Sequence, residues 1–195
     1  MSLKNIVKDL KFSRLIAIDP SSNSLAWCVL DLSSERIDII STGKIDFSKE
    51  KEMSSKLMII NNELSKVVKD FNPDKGIIEQ SVYIQNFQSS RVISYIIGFS
   101  WGVLIRSCSE VGDVNPLVWK NKIGYKNVDK KVKTEFIKQY GEKNIQKRLK
   151  DERKERVKRI IEDKLFYSTN DSDINDALGI ALWYAIDRGY GAVQG

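Results

Sequence analysis

Residues 14–32, RLIAIDPSSNSLAWCVLDL, decide how the chain begins to fold. Two aliphatic runs, 15–18 and 25–32, flank the small polar turn 21–24, which is the pattern of a β-hairpin. Asp19 stands where the first run ends, and Pro20, which cannot continue a paired central strand, follows at once. A carboxylate at the end of an apolar strand needs a cation, a hydrogen-bond donor or water. Taken alone, Asp19 reads equally well as a turn-initiating residue before proline. Its meaning depends on whether other acids come to the same place.

Working outward, residues 36–47, RIDIISTGKIDF, add a third strand and complete an antiparallel meander. Residues 50–71 carry Leu57, Ile60, Leu64, Val67, Val68 and Phe71 at helical spacing, and Asn72-Pro73 closes that helix. Residues 75–80, KGIIEQ, form a strand after the helix, which is the pattern of a crossover to a parallel neighbour. Glu79 ends this strand as Asp19 ends the first. If the two strands lie side by side, both acids emerge at the carboxyl edge, where open α/β sheets bind ligands.

Residues 89–108 are too long and apolar for a strand and predict a helix, with Gly98 and Gly102 packed closely on the sheet. Its apolar residues exceed what one sheet face covers, so a second subunit is expected to share them. Residues 111–115 predict a fifth strand, ended by Pro116. LVWKNK (117–122) and a turn at 124–127 follow, then helices over 129–140 and 143–166. The middle of the second helix, 150–156, is expected to be its most exposed part. The last helix, 172–188, has Ser172 as its expected N-cap. Asp173 and Asp176 share one face of its first turn. Acids there favour the positive end of a helix, but this face runs on into core at Ile180, Trp183 and Tyr184, which favours metal binding. Asp171, at or before the cap, suits capping instead.

Composition narrows the chemistry. Histidine is absent, which removes Ser-His-Asp triads and histidine metal sites. With only Cys28 and Cys108, any metal must be held by oxygen, which points to Mg²⁺, with Mn²⁺ as substitute. The two cysteines in apolar contexts suit a reduced, cytoplasmic setting. Residues 1–12 suit a short amphipathic helix rather than a secretion signal, and no apolar run approaches a membrane span. Length favours a single domain over residues 1–195. Charge is uneven: residues 118–165 hold 17 Lys and Arg against 8 Asp and Glu, while the rest of the chain nets −3 of the overall +6. That asymmetry predicts a polyanion-binding face beside an acidic site. Four carboxylates can hold two hard divalent cations for in-line displacement at phosphorus, so a nuclease is the natural reading.

The segments IAIDPSSNSLAWCVL, IIEQSVYIQN, VNPLVWKNKIG and SDINDALGIALWYA, in this order, resemble the RuvC family of Holliday-junction resolvases within the RNase H-like superfamily. The resemblance runs from about residue 14 to 188. It implies a five-stranded mixed sheet flanked by helices, acting as a homodimer that cuts two strands of branched DNA symmetrically. It makes Asp19, Glu79, Asp173 and Asp176 the catalytic, metal-binding acids, serving two Mg²⁺ ions. Ser21, where bacterial members usually have glycine, looks like the phage branch, which would place the protein in a host cytoplasm. The bacterial wedge aromatic falls at Val82, leaving Tyr83 and Phe87 as the aromatics nearest to it. Lys120 matches a basic residue after the fifth strand, and Lys130 or its neighbour Lys131 a second. With Lys122 and Lys126 they form the expected DNA-binding set. The charged stretch 143–164 matches nothing firmly. Two other classes compete. A branched-DNA binding protein without turnover would keep the fold, but four clustered acids without metal would be costly. A sugar-kinase-type phosphotransferase would need a second lobe for which the chain is too short.

Overall fold

A computed structural model of the chain describes residues 13–33, 35–81, 87–141 and 144–191. The expected amphipathic helix at 1–12 lies outside them. Five strands form one mixed sheet of order β3-β2-β1-β4-β5. The hairpin is present as β1 (Ser13–Pro20) and β2 (Ser24–Leu32), antiparallel, with β3 (Ile37–Asp46) completing the meander. Ser21 closes the hairpin turn, since its hydroxyl donates to the Ser24 carbonyl at 2.9 Å and accepts from the Ser24 N–H at 3.0 Å. Helix α1 (Met53–Phe71) ends at Asn72 in the left-handed conformation and leads into β4 (Lys75–Glu79), parallel to β1. Helix α2 (Phe87–Leu104) then leads to β5 (Glu110–Val114), parallel to β4. Pairing of β1 with β4 stops at Ile18–Ile78, whereas β1 stays paired with β2 as far as Pro20. Pro20 lacks an N–H and is tolerated because only one neighbour remains at that point.

The period of two along each strand sorts side chains onto two faces. Ile16, Ile18 and Ile78 enter the core beneath α1 and α2. Leu15, Ala17, Cys28 and Ile77 enter the opposite core, beneath α6 (Ser172–Asp187). Helix α6 is buried on nearly every side from Asn175 to Ala185, and its Ala177 carbonyl accepts from Cys28 Sγ at 3.3 Å. Three helices complete this layer: α3 (Pro116–Lys122), α4 (Lys130–Tyr140) and α5 (Ile145–Leu165). No helix among the described residues is long and apolar enough to cross a membrane.

Two expectations need correction. Gly98 and Gly102 do not pack on the sheet: a Cβ at either would meet nothing within 4 Å. They lie on the outward side of α2, while Ile96, Ser100, Val103 and Leu104 supply its buried side. The cap of α6 is Asp171 rather than Ser172. The Asp171 carboxylate accepts from the N–H groups of Asp173 (2.9 Å) and Ile174 (3.3 Å), taking up free donors of the first turn.

Candidate active site

Strand parity builds the site. Asp19 and Glu79 each come two residues after a side chain of the α6-facing core, Ala17 and Ile77, so both project to the α6 side. They directly follow the paired residues Ile18 and Ile78, which puts them next to each other at the carboxyl ends of adjacent parallel strands. The amino end of α6 brings Asp173 and Asp176 to the same edge. A third strand contributes a cation. Lys44 of β3 pairs with Ala26 of β2, and Ala26 pairs with Asp19, so Lys44 and Asp19 belong to one cross-strand row. The small Ala26 side chain leaves Lys44 free to reach α6, where its Nζ lies 2.5 Å from Asp173 Oδ2 and 3.3 Å from Asp171 Oδ2.

The four acids feel one another. Burial, then the charges of Asp176, Glu79 and Asp173, raise the Asp19 carboxyl well above its usual value, against the pull of Lys120. Glu79 is raised mainly by burial, opposed by Trp119 and Lys120. Asp176 is raised by burial and by Asp173, opposed by Lys120 and Lys154. Burial works against the charge on Asp171 too, yet the two capping N–H groups and Lys44 hold that carboxyl below its usual value.

Two features of the site went unassigned in the sequence. Trp119, fully buried, donates its indole N–H to Glu79 Oε2 at 2.6 Å and lies beneath Lys120, whose Nζ stands 4.7 Å from the ring centroid. Its presence in LVWKNK was visible, but nothing local tied it to a strand-end acid. The other feature is α5, whose middle, 150–156, is expected to be its most exposed part. It has no buried residue from 150 to 156, yet it runs back to the acids. Lys154 Nζ donates to Ser172 Oγ at 2.6 Å. Arg153 and Lys154 line a cleft that also holds Asp176.

The lysines expected to meet DNA separate into groups. Lys120 faces the acids, as its opposing pull on Asp19, Glu79 and Asp176 requires. Lys122 lies 3.8 Å from Asp187, at the opposite end of α6. Lys126 sits in the loop before α4, with Lys130 and Lys131 on the exposed first turn of α4. Phe87 is exposed at the start of α2, whereas Tyr83 lies outside the described residues.

The donor set fits a hard divalent cation, since every candidate ligand is a carboxylate oxygen and the mutual repulsion of the acids calls for positive charge. Among the described residues no three acids are gathered tightly enough to hold an ion as they stand. Asp173 is turned onto Lys44, and one oxygen of Glu79 onto Trp119.

A five-stranded mixed sheet of this order, flanked by helices, defines an RNase H-like fold. Comparison with known proteins narrows the class. Residues 15–139 match the family model described as "Crossover junction endodeoxyribonuclease RuvC". The RuvC of Thermosipho melanesiensis is 29% identical over 130 residues, covering 64% of this chain and 80% of that protein. The RuvC of Rickettsia felis is 26% identical over 117 residues, covering 60% and 75%. Among solved structures, T. thermophilus RuvC in complex with a Holliday junction substrate superimposes with a TM-score of 0.66 at 14% identity, covering 91% of this chain and 98% of that one. Fowlpox virus resolvase in complex with Holliday junction DNA gives 0.54 at 18% identity, covering 90% and 98%. The chain belongs to the RuvC family of crossover junction endodeoxyribonucleases. The matched segment includes Asp19, Glu79 and Lys120 and ends before α5 and α6.

Proposed function

We propose that this chain is a divalent-metal-dependent endonuclease that resolves branched DNA, four-way junctions above all. The observation that carries the reading is the meeting of Asp19, Glu79, Asp173 and Asp176 at one sheet edge, with Lys120 beside them. Hard divalent cations held by these acids, two Mg²⁺ ions in our reading with Mn²⁺ as substitute, supply the charge that activates water and steadies the leaving oxygen. The protein's own part is placement. The paired strands hold Asp19 and Glu79, the cap at Asp171 fixes the first turn of α6, and the Trp119 N–H orients Glu79. Lys120, Lys126, Lys130 and Lys131 draw the phosphate backbone to this edge, and Phe87 stands ready to meet unpaired bases.

The working form in this reading is a homodimer of single-domain chains, because a two-fold junction needs two sites related by symmetry. Arg91, Tyr95, Gly98 and Gly102 form one stripe along α2 that Ile105 continues just past its end, with Tyr95 and Ile105 more than half exposed and open space over both glycines. That stripe is where a second copy fits. Buried free Cys28 and Cys108 suit a reducing cytoplasm.

The test is incubation with labelled four-way, three-way, flap and linear DNA of shared sequence, with and without Mg²⁺. Symmetric nicking of the four-way junction that depends on metal is the expected result. Binding without cutting under any divalent metal would leave only a branched-DNA binding protein of the same fold.

A further inference from the structure

A cleft of about 350 Å³ opens beside Asp176, between α3, the loop that follows it and α5. Its size is in the range of small-ligand sites. Three cations border it: Lys120 from α3, with Arg153 and Lys154 from α5. Lys154 is committed to Ser172, and so fastens α5 to the first turn of α6. Arg156, two residues along, holds Glu152 at 2.9 Å and donates to the carbonyls of Lys126 (3.0 Å) and Asn127 (3.2 Å), tying the loop to α5. The cleft wall is therefore built by side chains with structural work. Arg153 has none: it is exposed on the cleft and has no ion-pair or hydrogen-bond partner among the described residues.

The rest of the lining says what kind of anion belongs there. Leu117 and Tyr125 give apolar surface, and Asn121 adds an amide. A bare phosphate would use the cations and leave those walls idle. A nucleotide uses both, its phosphate on the cations and its base and sugar against the aromatic and aliphatic walls. We propose that this cleft is a subsite for the nucleotide next to the cut in the cleaved strand, with Arg153 of α5 holding the phosphate that flanks the scissile one. The inference rests on the nuclease reading above. Arg153 is a positioning residue in it: it holds the strand while the acids do the chemistry.

The experiment measures junction binding without divalent metal, so cleavage plays no part. Wild type, Arg153→Gln and Arg153→Lys are titrated with four-way junctions in which single phosphates on either side of the cut are replaced, one at a time, by neutral methylphosphonates. A charge-assisted contact of this kind is worth roughly tenfold or more in affinity. Wild type should lose about tenfold at one flanking position only. Arg153→Gln should bind the unmodified junction about tenfold more weakly and be insensitive to neutralisation at that position, while Arg153→Lys recovers part of the loss. Equal binding by wild type and Arg153→Gln overturns the subsite, as do independent losses that multiply. Arg153 is exposed, so the variant folds, and its circular dichroism melt should match wild type. Cutting of the unmodified junction by wild type with Mg²⁺, run alongside, separates the two ideas. If wild type cuts and Arg153→Gln binds normally, only the subsite is lost; if wild type neither binds nor cuts, both are.

Discussion

Lys44, in the cross-strand row that contains Asp19, reaches Asp173 of α6, its Nζ 2.5 Å from the carboxylate. The lysine is an internal cation where a divalent ion is proposed to sit, and the two compete for one carboxylate. Burial alone would lower the Lys44 ammonium, but its bonds to Asp173 and Asp171 outweigh that and raise it. Lys44→Met should therefore lower the Mg²⁺ concentration for half-maximal cleavage. The pair is about one-third exposed, so the shift should be modest, about two- to fivefold. Metal titrations of both proteins measure it; a higher requirement in the variant would mean that the lysine positions Asp173 for the metal.

The acids give a second prediction with a defined pH dependence. Asp19 is raised by burial and by its acidic neighbours, so the folded protein holds this proton more tightly than the unfolded chain does. Its contribution is whole below the unfolded value of roughly 3.9 and is lost as pH climbs through the raised folded value. Asp19→Asn removes the loss. Metal-free melts of wild type and variant should nearly coincide at pH 4, and the variant should be the more stable one by pH 7.5. A gap that is constant across pH would show that Asp19 is not strained by charge. The same variant, like Glu79→Gln, should lose cleavage by about a thousandfold or more and keep junction binding.

Trp119 and Gly179 make a structural couple behind Glu79. A Cβ on Gly179 would lie 2.5 Å from Trp119 Cζ3, so α6 needs glycine where the indole passes. Gly179→Ala should cost about 1–3 kcal/mol by overpacking. Trp119→Phe keeps most of the ring but removes the 2.6 Å bond to Glu79. It should reduce the cleavage rate about tenfold with binding unchanged, read from single-turnover rates beside binding isotherms.

Much of this site was legible in the sequence because alternation and strand ends are local signals. Asp19 and Glu79 each close a short apolar run, and a crossover helix between the runs predicts that they become neighbours. What stayed hidden depends on contacts between distant segments. Asp171 and Ser172 are both good caps, and the choice between them follows from how α6 enters the fold. Gly98 and Gly102 read as close-packing residues, but helical phase alone does not say which side of α2 meets the sheet. Arg153 sits in a stretch with no apolar period, and its approach to Asp176 is set by Lys154 and Arg156 gripping other elements.

Asp171 provides a contrast with its acidic neighbours. As the cap of α6 it accepts two backbone N–H groups. Asparagine caps nearly as well, so Asp171→Asn should retain most activity, whereas Asp171→Ala should cost about 1 kcal/mol in denaturant unfolding. Asp173→Asn should do the reverse, sparing stability and removing activity. Loss of activity in Asp171→Asn while Asp173→Asn stays active would shift the metal-binding acids two residues toward the amino end.

The lysines separate a phosphate contact from mere surface charge. Lys120 stands over the Trp119 ring beside the acids, with no ion pair among the described residues. Lys122, two residues on, lies 3.8 Å from Asp187, eleven residues past Asp176, which is roughly 16 Å along α6 at 1.5 Å per residue. Each lysine that neutralises a phosphate releases a counterion, so log K falls with log salt at a slope of about −0.9 per contact on duplex arms. Lys120→Ala should reduce that slope by about one and weaken binding to junctions of any sequence alike. Lys122→Ala should leave the slope unchanged, because its charge is spent on Asp187 away from the acidic edge. Isotherms at several salt concentrations on two junctions of unrelated sequence decide the matter. Equal slopes for Lys120→Ala and wild type would remove Lys120 from the DNA path, and a loss confined to one sequence would make it a reader of bases.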